Sequence, residues 1–223
     1  MEQYPINLDL KNKKVLIVGG GKVASRKLKR LLTTAAEIKL VSPCLTDSIA
    51  AQKDKIDYYQ RKFVIKDLTD CFLVIVATNK PEVNKRIGQL ALERNILANI
   101  VDNPELSTFT LPGLVKRGDL LLTVATGGNL PALSKQIVQK LASEFGNEYE
   151  DFLVLMSEIR PVVLNKIEDE QKRRTIFRKL ADDKIINLLG KQKEKGLAEI
   201  KKILPQSILK ELNLSNKIKE RKQ

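Results

Sequence analysis

Apolar positions follow two different patterns along this 223-residue chain. Up to about residue 104, short apolar runs alternate with stretches whose apolar residues recur every three or four positions. That alternation reads as strands interleaved with amphipathic helices. Residues 15–18, 38–41, 72–77 and 96–101 predict strands, and the run FLVIVA at 72–77 suits a central parallel strand buried on both faces. Residues 57–63 predict another strand, with Tyr59 and Phe63 as apolar contacts. Between the first two strands, Val23, Ala24, Leu28, Leu31 and Leu32 share one helical face. Lys22, Arg26, Lys29 and Arg30 fall mostly on the other, and the helix ends near Thr33-Thr34. Residues 46–55 predict a short helix. A longer one starts at Pro81, with Asn79 as its N-cap and Ile87, Leu90 and Ala91 on its apolar face, and runs to about Arg94. The lead-in, with Tyr4-Pro5-Ile6 and Leu8-x-Leu10, predicts a small strand or packed arm. The order β-α-β-α-β-β-α-β gives an open α/β sheet, in which ligands bind beyond the carboxyl ends of the strands.

After Pro104 the pattern changes. Residues 108–115 and 120–126 predict two strands joined by a hairpin turn at Lys116-Arg117-Gly118-Asp119, with Pro112 marking an edge strand or bulge. A helix from Pro131 to Phe145 follows, with Leu133, Ile137, Val138 and Leu141 inward and Gly146 as its stop. Helices are then predicted at 149–165, where Pro161 reads as a kink or break, at 168–180, and at 183–189 ending at Gly190. The Lys-rich tail beyond Lys191 predicts a partly frayed, solvated segment. The fold class is therefore α/β. Residues 1–112 form a Rossmann-type dinucleotide-binding domain, 113–146 a small α+β dimerisation segment, and 147–223 a helical C-terminal region.

The candidate chemistry sits at strand ends. VLIVGGGKVASRK, from Val15 to Lys27, is a buried strand, a glycine turn and a helix N-terminus. It contains the fingerprint Gly19-x-Gly21-x-x-Ala24. Gly19 allows the tight turn, Gly21 lets a pyrophosphate approach the backbone, and Ala24 lets the helix pack close to the sheet. The unpaired N–H groups of the first helical turn then face the phosphates. Ser42, Pro43 and Cys44 stand where an NAD site usually has a ribose-binding acid, and no Arg follows to take a 2′-phosphate. The reading is NAD, with the Ser42 hydroxyl and backbone groups open to the ribose. Thr78-Asn79 and Asp102 also map to the ligand edge. Asp102 is the carboxylate best placed for chemistry, or else an Asx-turn or cap ahead of Pro104. Thr126-Gly127-Gly128-Asn129 is a second strand, glycine turn and helix start, either anion-receptive or simply a tight turn.

Composition narrows the chemistry. The chain has no histidine, which removes the commonest general base and metal ligand, and no metal site is predicted. Two cysteines in no C-x-x-C pattern point to a reducing, cytoplasmic setting. No apolar run reaches about 18 residues, so no membrane span is expected, and the N-terminus does not read as a signal peptide. The formal charge of +13 suits a polyanionic partner, either nucleic acid or a multiply charged small molecule. An aromatic content of 4% argues against base stacking on single strands.

The stretches YPINLDLKNKKVLIVGGGKVASRK, ATN at 77–79, NIVDNPELSTFTLP at 99–112, KRGDLLLTVATGGNLPAL at 116–133 and RRTIFRKLAD carry a resemblance. They resemble the precorrin-2 dehydrogenases of siroheme biosynthesis. That family includes bifunctional dehydrogenase/ferrochelatases and the N-terminal half of fused siroheme synthases. The resemblance covers roughly residues 1–185. It implies NAD-dependent dehydrogenation of precorrin-2 to sirohydrochlorin, and in some members Fe²⁺ insertion. It also implies a homodimer, an anionic tetrapyrrole substrate, and a separate upstream methyltransferase as its source. The family's essential aspartate matches Asp102. Its cofactor contacts match Lys22-Val23, after the glycines Gly19, Gly20 and Gly21, and Pro43-Cys44 after the second strand; Thr78, at the ligand edge, is read as a further cofactor contact. Its substrate turn matches Thr126, Gly127, Gly128 and Asn129, with Leu130 where serine is usual. An NAD-sensing module without catalysis is the alternative reading, and a basic nucleic-acid binder the third.

Overall fold

The computed structural model describes residues 3–212. The chain divides into two compact units, Met1–Thr110 and Leu111–Gln223.

The first unit is a five-stranded parallel sheet of order β3-β2-β1-β4-β5, formed by β1 (Lys14–Val18), β2 (Glu37–Val41), β3 (Asp57–Tyr59), β4 (Leu73–Val76) and β5 (Leu97–Ile100). Helices α1 (Lys22–Leu31), α2 (Asp47–Ala50) and α3 (Pro81–Glu93) complete it. Leu16, Val18, Val74, Val76, Ala98 and Ile100 pack on Ile87 and Ala91 of α3. Val15, Ile17 and Ile75, alternating with these along the strands, are buried on the opposite face. The chain runs outward from β1 to β3, then returns to β4 on the other side of β1. The carboxyl ends of β1 and β4 thus flank the topological switch point, where open α/β sheets hold ligands.

Several local details differ from the sequence reading. The N-terminal arm forms no strand, and Tyr4 is 87% exposed. Both edges of β1 are already taken by β2 and β4. Strand β3 stops at Tyr59, short of Phe63, because the chain turns with Arg61 N–H donating to the Tyr59 carbonyl. Lys80, not Asn79, is the N-cap of α3, and its N–H donates to Thr78 Oγ1.

The connection from β3 to β4 is a 3-10 turn, Ile65–Leu68, fastened by a buried carboxylate. Asp67 receives Arg61 through two hydrogen bonds of 2.8 and 2.7 Å, Lys39 Nζ at 2.7 Å and the Val64 N–H at 2.9 Å. Burial raises its pKa, but the hydrogen bonds from Arg61, Lys39 and Val64 outweigh burial and hold it well below the carboxylate range. The folded-state pKa is thus depressed. The associated stability is fully present above the unfolded value of 3.8 and is lost as pH falls below it. Asp67→Asn is expected to destabilise the protein by about 1.5–3 kcal/mol at neutral pH. Urea midpoints should converge with the wild type as pH drops below about 4.

The second unit begins with an antiparallel hairpin, β6 (Gly113–Arg117) and β7 (Leu120–Val124), turning at Gly118 with φ of 55°. Residues 108–112 are not part of it. Thr108 instead pairs with Ala98 of β5, its N–H donating to the Ala98 carbonyl at 2.8 Å. Six helices follow among the described residues: α4 (Pro131–Glu144), α5 (Glu148–Lys166), α6 (Glu170–Leu180), α7 (Asp183–Lys191), α8 (Lys193–Ile203) and α9 (Gln206–Leu209). Phe152, Leu155, Ile159, Leu180, Ile200 and Ile208 lie in a core shared by helices from α5 onward.

Pro161 sits inside a continuous α5 rather than breaking it, and the burial of Ile159 and Val163 carries the helix through. Gly190 does not stop α7. It lies inside the helix, where an added Cβ would fall 2.9 Å from Glu148 Cβ, so it serves close approach. The tail through residue 212 is helical and packed, because Ile200, Leu204 and Ile208 give it a buried face. Residues 213–223 of that tail lie outside the described residues. Helix α4 has no fully buried residue, and Leu133, expected inward, is exposed, since a two-stranded hairpin covers only part of the helix. No helix among the described residues is long and apolar enough to cross a membrane.

Candidate functional site

At the end of β1 the three glycines do three different things. Gly19 has φ of 119°, and a Cβ there would strike the Ala77 carbonyl at the end of β4. Gly20 lies against the Cys44 carbonyl, with Ser42 Oγ 2.8 Å from where its Cβ would be. These two glycines are required by the fold. Gly21 is not. Its backbone is ordinary extended chain (φ −86°, ψ −173°), and an added Cβ would meet nothing within 4 Å.

Gly21 is also the N-cap of α1 and offers no side-chain cap. The first intrahelical bond runs from Ser25 N–H to the Gly21 carbonyl, so the N–H groups of Lys22, Val23 and Ala24 have no intrahelical acceptor. No acidic residue occupies the first turn. Bare backbone, free N–H groups and the positive end of a helix fit a dinucleotide pyrophosphate. Farther along α1, burial and the neighbouring Arg30 and Arg26 push the Lys27 pKa down.

The loop after β2 is locked onto the glycines. Thr46 N–H donates to the Gly20 carbonyl at 2.9 Å, and Ser42 Oγ donates to the Cys44 carbonyl at 2.7 Å. Ser42 is only 4% exposed, so its hydroxyl holds this loop rather than standing open to a ribose. Pro43 and Cys44 are the exposed residues at that edge, and Cys44 is a free thiol. Tyr58 OH donates to the Ser42 carbonyl, and burial, then Cys44, pushes the phenol pKa up.

The third group joins β4 to β5. Asn84, which closes the first turn of α3, is 1% exposed. Its Oδ1 accepts from Thr78 Oγ1 at 2.6 Å and Thr78 N–H at 3.3 Å. Its Nδ2 donates to the Thr78 carbonyl at 3.2 Å and to Asp102 Oδ1 at 2.9 Å. Asp102 is exposed and does not cap the turn after β5. That role falls to Asn103, whose Oδ1 accepts from Leu106 N–H at 3.2 Å. The first unit therefore brings Gly19, Gly20, Gly21, Lys22, Val23, Pro43, Cys44, Thr78 and Asp102 to one sheet edge. Asn84 was missed in sequence, although it lies in register with the buried face that includes Ile87, Gly88 and Ala91.

Thr126, Gly127, Gly128 and Asn129 belong to the second unit, between β7 and α4. Gly127 and Gly128 take φ of 61° and 82°, and Asn129 N–H donates to the Thr126 carbonyl at 3.1 Å. Leu130 is the N-cap of α4 and supplies no cap. Leu130→Ser is therefore expected to raise stability by about 1 kcal/mol, read as a higher denaturation midpoint. Among the described residues, no group of three or more Cys, Asp or Glu could hold a metal ion.

Three comparisons bear on this arrangement. Residues 6–113 match a family model described as "Putative NAD(P)-binding". The siroheme synthase of Thioalkalivibrio sulfidiphilus is 32% identical over 201 residues, covering 89% of this chain and 41% of that protein. Siroheme synthase 1 of Aeromonas salmonicida is 39% identical over 143 residues, covering 63% and 31%. The chain thus spans about two fifths or less of the length of these curated relatives. Among solved structures, SirC, a precorrin-2 dehydrogenase, matches with a TM-score of 0.73 and 29% identity over 90% of this chain and 100% of that one.

Proposed function

The chain belongs to the precorrin-2 dehydrogenase family shared with siroheme synthases, and on that premise we propose that it oxidises precorrin-2 to sirohydrochlorin with NAD. The observation that carries this reading is a convergence at one sheet edge. Gly21, bare where the fold does not need glycine, stands there with Asp102, a carboxylate held by Asn84.

NAD, when bound, supplies the hydride acceptor. The N–H groups of Lys22, Val23 and Ala24 hold its pyrophosphate, and Gly20 fixes the loop that carries Pro43 and Cys44 to the adenosine side. Thr78 borders the other half of the cofactor. Precorrin-2 loses two hydrogens, one as hydride and one as a proton. Asp102 takes the proton and returns it to solvent. Within the second unit, the left-handed Gly127-Gly128 turn has a backbone suited to an anion, and a net charge of +13 favours a polyanionic substrate. A methylating enzyme upstream supplies the substrate.

Fe²⁺ insertion would be a second use of the same site, with Fe²⁺ as substrate and Asp102 taking the pyrrole protons. The chain works as a homodimer in the cytoplasm, the half-covered α4 facing its partner. Light scattering at micromolar concentration should return twice the chain mass, and a monomer would count against the interface.

The activity is tested by mixing the purified chain, precorrin-2 and NAD without oxygen. NADH should appear only when all three are present. NAD binding with no turnover would instead favour a cofactor-sensing module.

A further inference from the structure

We propose that Asn84 is a positioning residue for the reaction, holding Asp102 and Thr78 in one fixed relation across the cofactor–substrate edge. The inference rests on the reading of Asp102 as the group that takes the proton.

Four observations support it. Asn84 is 1% exposed in a helix that otherwise buries apolar side chains on that face, so it occupies a costly place for a carboxamide. Its four hydrogen bonds use the full capacity of the side chain, two donors and two acceptor sites. Their pattern fixes which way the amide points. The reversed orientation would set its oxygen against the Thr78 carbonyl and the Asp102 carboxylate. Helix α3 is also brought within reach by Gly88, one turn later. A Cβ there would lie 3.1 Å from Ile100 Cγ1 and 3.1 Å from Leu106 Cβ, so a larger residue would lift the helix from β5.

Three of the four bonds serve Thr78 and would suffice to close the turn after β4. The fourth reaches an exposed aspartate that the neighbouring turn does not use, since Asn103 and Ser107 close that turn between them. An exposed Asp side chain otherwise samples several rotamers. Fixing Oδ1 at 2.9 Å from Asn84 selects one and aims the second oxygen. Misplacement of a reacting group by about 1 Å can cost about a hundredfold in rate.

The test is a double-mutant cycle with purified full-length protein. At saturating NAD, Asn84→Ala should lower kcat by about ten- to a hundredfold, and NAD affinity in calorimetry should fall by less than that, since three of its bonds hold Thr78 beside the cofactor. In an Asp102→Ala background the same substitution should cost less than about twofold more, because its effect passes through Asp102. Multiplying losses would overturn the inference while leaving Asp102 in its role. Normal turnover in Asp102→Ala alone would overturn the underlying reading and the inference with it. Should Asn84→Ala not fold, the wild-type side-chain amide resonance of Asn84 carries the test. It should shift on Asp102→Ala, and an unmoved resonance would show that no such bond exists.

Discussion

Asp102→Asn is expected to lower precorrin-2 turnover by at least about a hundredfold while leaving NAD binding intact. The substitution keeps the size of the side chain and an oxygen that can still accept from Asn84 Nδ2. Asp102 caps nothing, so the turn through Asn103 and Leu106 keeps its own bonds. What is lost is the capacity to take a proton, and general-base assistance is typically worth about 10²–10⁴-fold. The loss should fall on kcat, with little change in KM, because a group that acts as charge redistributes contributes little to ground-state binding. Near-normal turnover with an intact circular dichroism spectrum would place the chemistry elsewhere.

Gly21→Asp is expected to abolish NAD binding without harming the fold. The backbone there is allowed to any residue, and an added Cβ meets open space. The new carboxylate would even cap α1, which now has no side-chain cap, and would do so by taking the N–H groups of its first turn. Those are the donors a pyrophosphate needs. The aspartate also sets a negative charge against the phosphates, and like charges in contact cost several kcal/mol. NAD affinity should fall by at least about a hundredfold, while the thermal midpoint holds or rises slightly. Unchanged affinity would remove the glycine loop from the cofactor site. A parallel substitution at Gly20 would not be a fair test, because its side chain would strike Cys44.

This contrast among three adjacent glycines marks where sequence stops being informative. The pattern around Val15 to Ala24 predicts strand, turn and helix correctly, because local burial and a turn suffice to specify them. It does not separate a glycine needed for packing from one left bare for a ligand, since Cys44 and Ala77 reach the loop only through the sheet. The same holds for Ser42, a ribose candidate from its position, whose hydroxyl is turned inward by the Cys44 carbonyl. Asn84 left a trace, a polar residue on an apolar helical face, but its partners are 6 and 18 residues away on two different loops. In the second unit, local propensity makes Gly190 read as a stop and Pro161 as a kink or break. Tertiary packing overrides that propensity, with Gly190 seated against Glu148 and Pro161 carried between buried Ile159 and Val163.

Hydride transfer from a tetrapyrrole to NAD, as proposed for this chain, is tested most directly by its stoichiometry. Wild-type protein incubated anaerobically with precorrin-2 and excess NAD should yield one NADH for each sirohydrochlorin formed, both read from the absorbance of one sample. Sirohydrochlorin formed without NADH, or NAD bound with the tetrapyrrole unchanged, would contradict it.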